Sequence, residues 1–216
     1  VLIRTKNFYE IRRYVLIRKI PVTTFIFALL ICFATQIAIA QKPDKKKEAK
    51  LTEIPDEYEP SPLNRFGSLN PNAPAETAQF DFMVGEFDCD DKVINPQNGK
   101  WVERKAVWNS KYFLNGSGIQ DSYWSNPTIA SGTRIFDKKN GKWIVNYFQT
   151  FPAYFAGVWE GKKEGDKMIM RAARGENESR LTFHNIKKDG FDWIGETVTK
   201  DGKATPFWII SCKRRR

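Results

Sequence analysis

The chain carries a single histidine, His184, and that narrows the chemistry open to it. A catalytic zinc site takes three protein ligands, and one histidine cannot build the usual set alone. A Ser-His-acid triad would have to run through His184, while Ser117, Ser122 and Ser131 lack the elbow that exposes a nucleophile. A lone histidine on a strand can still ligate haem iron, so a haem or nitric-oxide-binding alternative rests on His184. The carboxylates Asp81, Glu86, Asp88, Asp121, Glu160 and Glu196 are numerous enough to form a pair. Asp121 and Glu160 lie among aromatics, where burial raises a carboxyl pKa, which makes a carboxylate acid/base enzyme the second alternative. The glycines mark hairpins and form no phosphate-cradling loop. No catalytic residue and no metal ligand is assigned.

Aromatic side chains carry the leading reading. Tryptophans occur at 101, 108, 124, 143, 159, 193 and 208, with Tyr123, Tyr147, Phe148, Phe151, Tyr154 and Phe155 between them. Such an inventory either fills a core or lines a cavity for a small hydrophobic or amphipathic molecule. Trp108, Tyr123, Trp124, Trp143, Tyr147, Gln149, Trp159 and Trp193 are the cavity candidates. The segment Trp143–Phe151 mixes classes on both faces. Asn146 and Thr150 share one face, and Tyr147 and Gln149 share the other with Trp143, Val145 and Phe151, so hydrogen-bonding groups enter the interior whichever face points inward. A protein-interaction barrel with a filled core is the third alternative.

These residues need strands to position them. Turn signals recur at Asn95–Gly99, Asn115-Gly116, Lys138–Gly141, Lys163–Asp166, Lys188–Gly190 and Lys200–Gly202. Gly and Asn accept the positive φ that tight hairpins demand. Between them lie β-branched and aromatic runs, predicting strands at 80–94, 100–109, 117–124, 131–137, 142–150, 153–161, 166–173, 179–186, 191–199 and 203–213, with a short helical turn near Ser110–Leu114. Connections this short allow only an antiparallel up-and-down meander. About ten strands close naturally into a barrel, because an open sheet of that size exposes two edges. The predicted class is therefore all-β.

Closure pairs the first strand with the last. Met83, Phe87 and Cys89 share one face of the first, and Trp208, Ile210 and Cys212 one face of the last. With the right register Cys89 and Cys212 come within reach. An even cysteine pair in an exported chain reads as one disulfide, against the alternative of two buried thiols.

Export is expected from the beginning of the sequence. Lys6, Arg12, Arg13, Arg18 and Lys19 precede the apolar run Phe25–Phe33 and the small-x-small site Ala38-Ile39-Ala40. This order reads as a signal peptide over 1–40, giving a periplasmic or extracellular protein with no stable membrane span after cleavage. The tetrapeptide VLIR at both Val1 and Val15 suggests that 1–14 is an over-extended start. Residues 41–78 hold six of eleven prolines and read as a charged, mostly disordered linker, parts of which such as Leu63–Leu69 can lie against the domain, before a barrel domain over 79–216. Without residues 1–40 the chain keeps 29 basic and 24 acidic residues, net +5 rather than +10. The excess clusters at Lys45–Lys47 and Lys213–Arg216, which does not favour nucleic acid. Composition leaves the oligomeric state open.

The stretch Phe80–Asp90, FDFMVGEFDCD, resembles the opening strand of a bacterial family of unknown function with a calycin-like (lipocalin-related) barrel. Asn115-Gly116 to Trp124, Arg134-Ile135-Phe136-Asp137 with Gly141-Lys142-Trp143, and Phe191–Glu196 match its later motifs. Phe87 stands where that family usually has Trp. The resemblance covers about residues 79–213 and implies a barrel with an interior cavity; it names no ligand. No cofactor is expected, haem through His184 being the alternative. Gly85 is expected to let the strand bend at the barrel floor.

Overall fold

A computed structural model describes residues 54–151 and 153–216. The signal-peptide reading and the first part of the linker lie outside them. Ten strands follow one another: β1 Gly85–Ile94, β2 Trp101–Phe113, β3 Gly118–Ser125, β4 Thr128–Asp137, β5 Lys142–Phe151, β6 Phe155–Glu164, β7 Lys167–Arg174, β8 Asn177–Lys187, β9 Gly190–Val198 and β10 Ala204–Arg214. Each pairs antiparallel with its sequence neighbours, and β1 also pairs with β10, so the meander closes into a barrel. The closed up-and-down barrel expected from strand count and hairpin length is the one the chain forms. No helix among the described residues is long and apolar enough to cross a membrane.

The seam is fixed by register and by covalent chemistry. Cys89 lies opposite Cys212, Asp91 opposite Ile210 and Val93 opposite Trp208. Cys89 and Cys212 form a disulfide, closing a loop of sequence separation 123.

The chain enters the barrel differently from the predicted strand 80–94. Ala75–Met83 is a 3₁₀ helix, and β1 begins only at Gly85. The alternation of Phe80, Phe82 and Val84 mimics a strand, but these rings meet partners from all round the barrel rather than on two faces. Phe80 meets Trp143 edge-on with centroids 4.7 Å apart, and Phe183 at 5.6 Å; Phe82 meets Phe191 at 5.4 Å. Phe80, Met83 and Phe87 are fully buried, so this segment plugs one end of the barrel. Gly85 is the turning point, at φ 130°, and a Cβ there would meet the Arg214 guanidinium at 2.4 Å. Arg214 stacks over Phe87 and donates to the carbonyls of Phe82, Val84 and Lys188, tying the plug to β10.

A further expectation is corrected. Ser110–Leu114 is not a helical turn: β2 runs on to Phe113, and the turn comes at Leu114 and Asn115, both at positive φ. Residues 54–74, which composition assigns to linker, lie along the β2–β3 end of the barrel. The Tyr112 N–H donates to the Phe66 carbonyl, Asn70 N–H to the Gly116 carbonyl, and Tyr58 N–H to the Asn115 side chain. Backbone hydrogen bonding, which leaves no trace in composition, holds a proline-rich stretch that has few apolar residues of its own.

Phe80→Ala removes a fully buried ring from the plug and is expected to cost about 3–5 kcal/mol in urea unfolding. A loss below about 1 kcal/mol would mean that the plug carries no weight. Reduction of Cys89–Cys212, or the double serine variant, is expected to lower stability by about 2–4 kcal/mol. An unfolding midpoint unmoved by reductant would contradict that role for the seam.

Candidate functional site

Side chains pointing inward change character along the barrel axis. At the plugged end most of them are apolar and fully buried. Trp143 belongs here: it is fully buried, and its indole N–H donates to Gln79 at 3.1 Å. It supports the floor and does not line the cavity, so it leaves the candidate set.

Higher up, two charged pairs are built into the inner wall. Asp121 of β3 accepts from the Arg134 guanidinium and, at 2.9 Å, from the Gly132 N–H. The Arg134 guanidinium also lies over the Phe80 and Phe183 rings at 5.4 and 5.6 Å, which joins this pair to the plug. Asp91 of β1 is the second centre. It accepts from Arg104 at 2.7 Å, the Tyr123 hydroxyl at 2.8 Å and the Trp208 indole N–H at 2.7 Å. Each carboxylate is thus neutralised by an arginine, as buried charge requires. The Asp91 contacts also fix two ring planes, because Tyr123 and Trp208 meet edge-on with centroids 5.6 Å apart.

Above these pairs the barrel opens into a cavity of about 300 Å³ at the end opposite the plug. Tyr147, Phe155, Trp159, Trp193, Phe207 and Trp208 form most of its wall, with Gln149, Ser179, Thr197 and Arg174 as polar groups. A narrower recess of about 50 Å³ continues below it; Tyr147, Leu181, Trp193 and Trp208 border both spaces, and Trp108, Tyr123, Asp121 and Arg134 border the recess. A bulge in β10 between Pro206 and Trp208 breaks the alternation, so that Phe207 and Trp208 both line the cavity.

The polar groups are held in defined states. The Tyr147 hydroxyl donates to Gln149 at 3.1 Å, and the Gln149 amide donates to the Ala153 carbonyl at 3.2 Å. Burial, then the Asp121 charge, pushes the Tyr147 phenol upward, and burial with Asp91 does the same for Tyr123. Both phenols therefore remain donors at neutral pH.

Of the sequence candidates, Trp108, Tyr123, Tyr147, Gln149, Trp159 and Trp193 converge on these two connected spaces. Trp124 does not. It follows the inward Tyr123 directly, and neighbouring strand residues point to opposite faces. It is 63% exposed on the outer wall, in cross-strand register with exposed Ile129, which in turn lies opposite exposed Phe151. His184 follows inward Phe183, borders neither space, and lies opposite Asp192 on the neighbouring strand. An iron ligated by it would sit outside the cavity. The Asp121/Glu160 pairing is not assembled either, because Glu160 follows inward Trp159 and pairs at the surface with Lys142 at 2.5 Å. Asp121 meanwhile is committed to Arg134 and a backbone N–H.

Sequence reasoning missed Phe155, Arg174, Ser179, Leu181, Thr197, Phe207 and Trp208 as cavity residues. Pro206 inside a strand pattern was a readable sign of the bulge. The period Met168, Met170, Ala172, Arg174 was a readable sign that Arg174 belongs to the inner face.

No family model and no curated relative matches the chain. Among solved structures it is similar to an S-type phycobiliprotein lyase, CPES, from Guillardia theta, at 12% identity and a TM-score of 0.42, over 64% of this chain and 91% of that one.

Asp121→Asn leaves the Arg134 charge buried without its counterion and is expected to destabilise by about 3–5 kcal/mol in urea unfolding. The double variant Asp121→Leu/Arg134→Met should lose less than either single change. Additive losses would show that the two side chains do not act as a pair.

Proposed function

We propose that this protein binds a small, partly apolar molecule in the barrel interior. The observation that carries the reading is the cavity of about 300 Å³, walled by aromatic rings with a few placed polar groups and closed below by the Phe80 plug. That combination suits a ligand pocket: apolar area supplies affinity, and isolated donors set orientation. Its volume is at the small end for such sites, which favours a slender ligand over a large polycyclic one. The reading is a binding one, since the inner-wall carboxylates Asp121 and Asp91 are each paired with an arginine and the single histidine follows the inward Phe183 on β8. The Cys89–Cys212 disulfide supports placing the protein in an oxidising compartment, periplasmic or extracellular.

Calorimetric titration with decanol, a slender neutral probe, tests the reading. Saturable binding is expected. Thr197→Phe, which crowds the mouth from β9, should weaken it at least about tenfold, while Trp124→Ala on the outer wall should leave it unchanged. Binding that survives Thr197→Phe and disappears with Trp124→Ala would move the site to the outer surface and overturn the proposal.

A further inference from the structure

The polar groups of the cavity are unequal, and one of them has no partner of opposite charge. Six arginines lie on the strands: 104, 134, 171, 174, 180 and 214. Arg104, Arg134, Arg171 and Arg180 pair with Asp91, Asp121, Glu164 and Glu196. Arg214 is spent on three backbone carbonyls. Arg174 has no carboxylate within ion-pair distance among the described residues. The acids of its own hairpin are engaged elsewhere, Glu176 with Lys200 at 3.4 Å and Glu178 with Arg171 at 3.7 Å.

Arg174 is nevertheless held in place. Its guanidinium lies 4.7 Å from the Trp159 ring centre and 5.6 Å from that of Phe155, both cavity walls. Stacking of this kind occupies the flat faces of the guanidinium and leaves its N–H edge free for an oxyanion. Gly157 makes the position available, since a Cβ there would meet the Arg174 Nη2 at 2.5 Å and the Trp159 ring at 2.7 Å. On the neighbouring strand Ser179 borders the same space. Its Oγ accepts from the Trp159 indole N–H at 3.1 Å, which leaves the hydroxyl proton for a further acceptor. Two donors thus face the mouth of a cavity whose walls are mainly aromatic.

Building on the cavity-binding reading above, we propose that the ligand is an amphipathic acid. Its carboxylate sits against Arg174 and Ser179 near the mouth, and its apolar body runs down past Trp193 and Leu181. The arrangement selects against slender neutral ligands by one charge-assisted contact, and against cations by repulsion.

The test compares decanoate with decanol, which share a chain and differ in the head group, by calorimetry on the intact protein. Decanoate should bind about tenfold more tightly than decanol. Arg174→Gln should bring the ratio of decanoate to decanol affinity down to about one, and Arg174→Lys should restore part of it. Decanoate binding no tighter than decanol, or an advantage that persists in Arg174→Gln, would overturn the anionic head group and leave the cavity reading standing. Absence of binding by both probes would overturn the cavity reading and this inference together.

Discussion

The pairing of β1 with β10 is the constraint on which the rest of the molecule depends. An antiparallel meander of ten strands has two free edges until its ends meet, and only when they meet does one face become an interior. Here the ends meet in a register that puts Cys89 opposite Cys212 and, two residues on, Asp91 opposite Ile210. From that register follow the inward positions of β1 and β10, and through hairpin pairing those of the strands between. A slip of one residue would turn Phe87, Cys89 and Asp91 outward and dismantle floor, seam and inner polar network at once.

Once closed, the barrel distributes its contents by a simple physical division. The plugged end is packed with aromatic rings. The middle carries two acid–arginine pairs that are costly to bury and are retained with further hydrogen bonds, from Gly132 to Asp121 and from Tyr123 and Trp208 to Asp91. We read them as orienting devices: through Asp91 the Trp208 ring is fixed as a wall of the cavity. The open end then has rings enough to line a space but too few to fill it.

Much of this was legible in the sequence because hairpins are local. Asn-Gly and Asp-Gly turns and β-branched runs place each strand near its observed bounds, and the two cysteines near the domain ends announce the seam. The 3₁₀ plug was not legible. Phe80, Phe82 and Val84 alternate as a strand would, and only Gly85 marks where the chain changes course. Trp124 and Trp143 were misplaced for different reasons. Consecutive Tyr123 and Trp124 cannot both face inward, so a cavity position for each conflicts with the pleat. Trp143 does face inward, but its depth along the axis is set by the plug, which composition does not reveal. Arg174 shows the opposite case, a charged residue continuing an inward apolar period, a pattern that points to function when it is noticed.

The central claim is that the ligand enters the barrel and does not coat it. Amide and indole NMR on the ¹⁵N-labelled protein reports this directly, because every tryptophan carries its own indole N–H signal. On titration with decanoate, the indole signals of Trp159, Trp193 and Trp208, which wall the cavity, should shift and saturate together, while that of exposed Trp124 stays in place. A shift of Trp124 with the three interior signals unmoved would contradict the account.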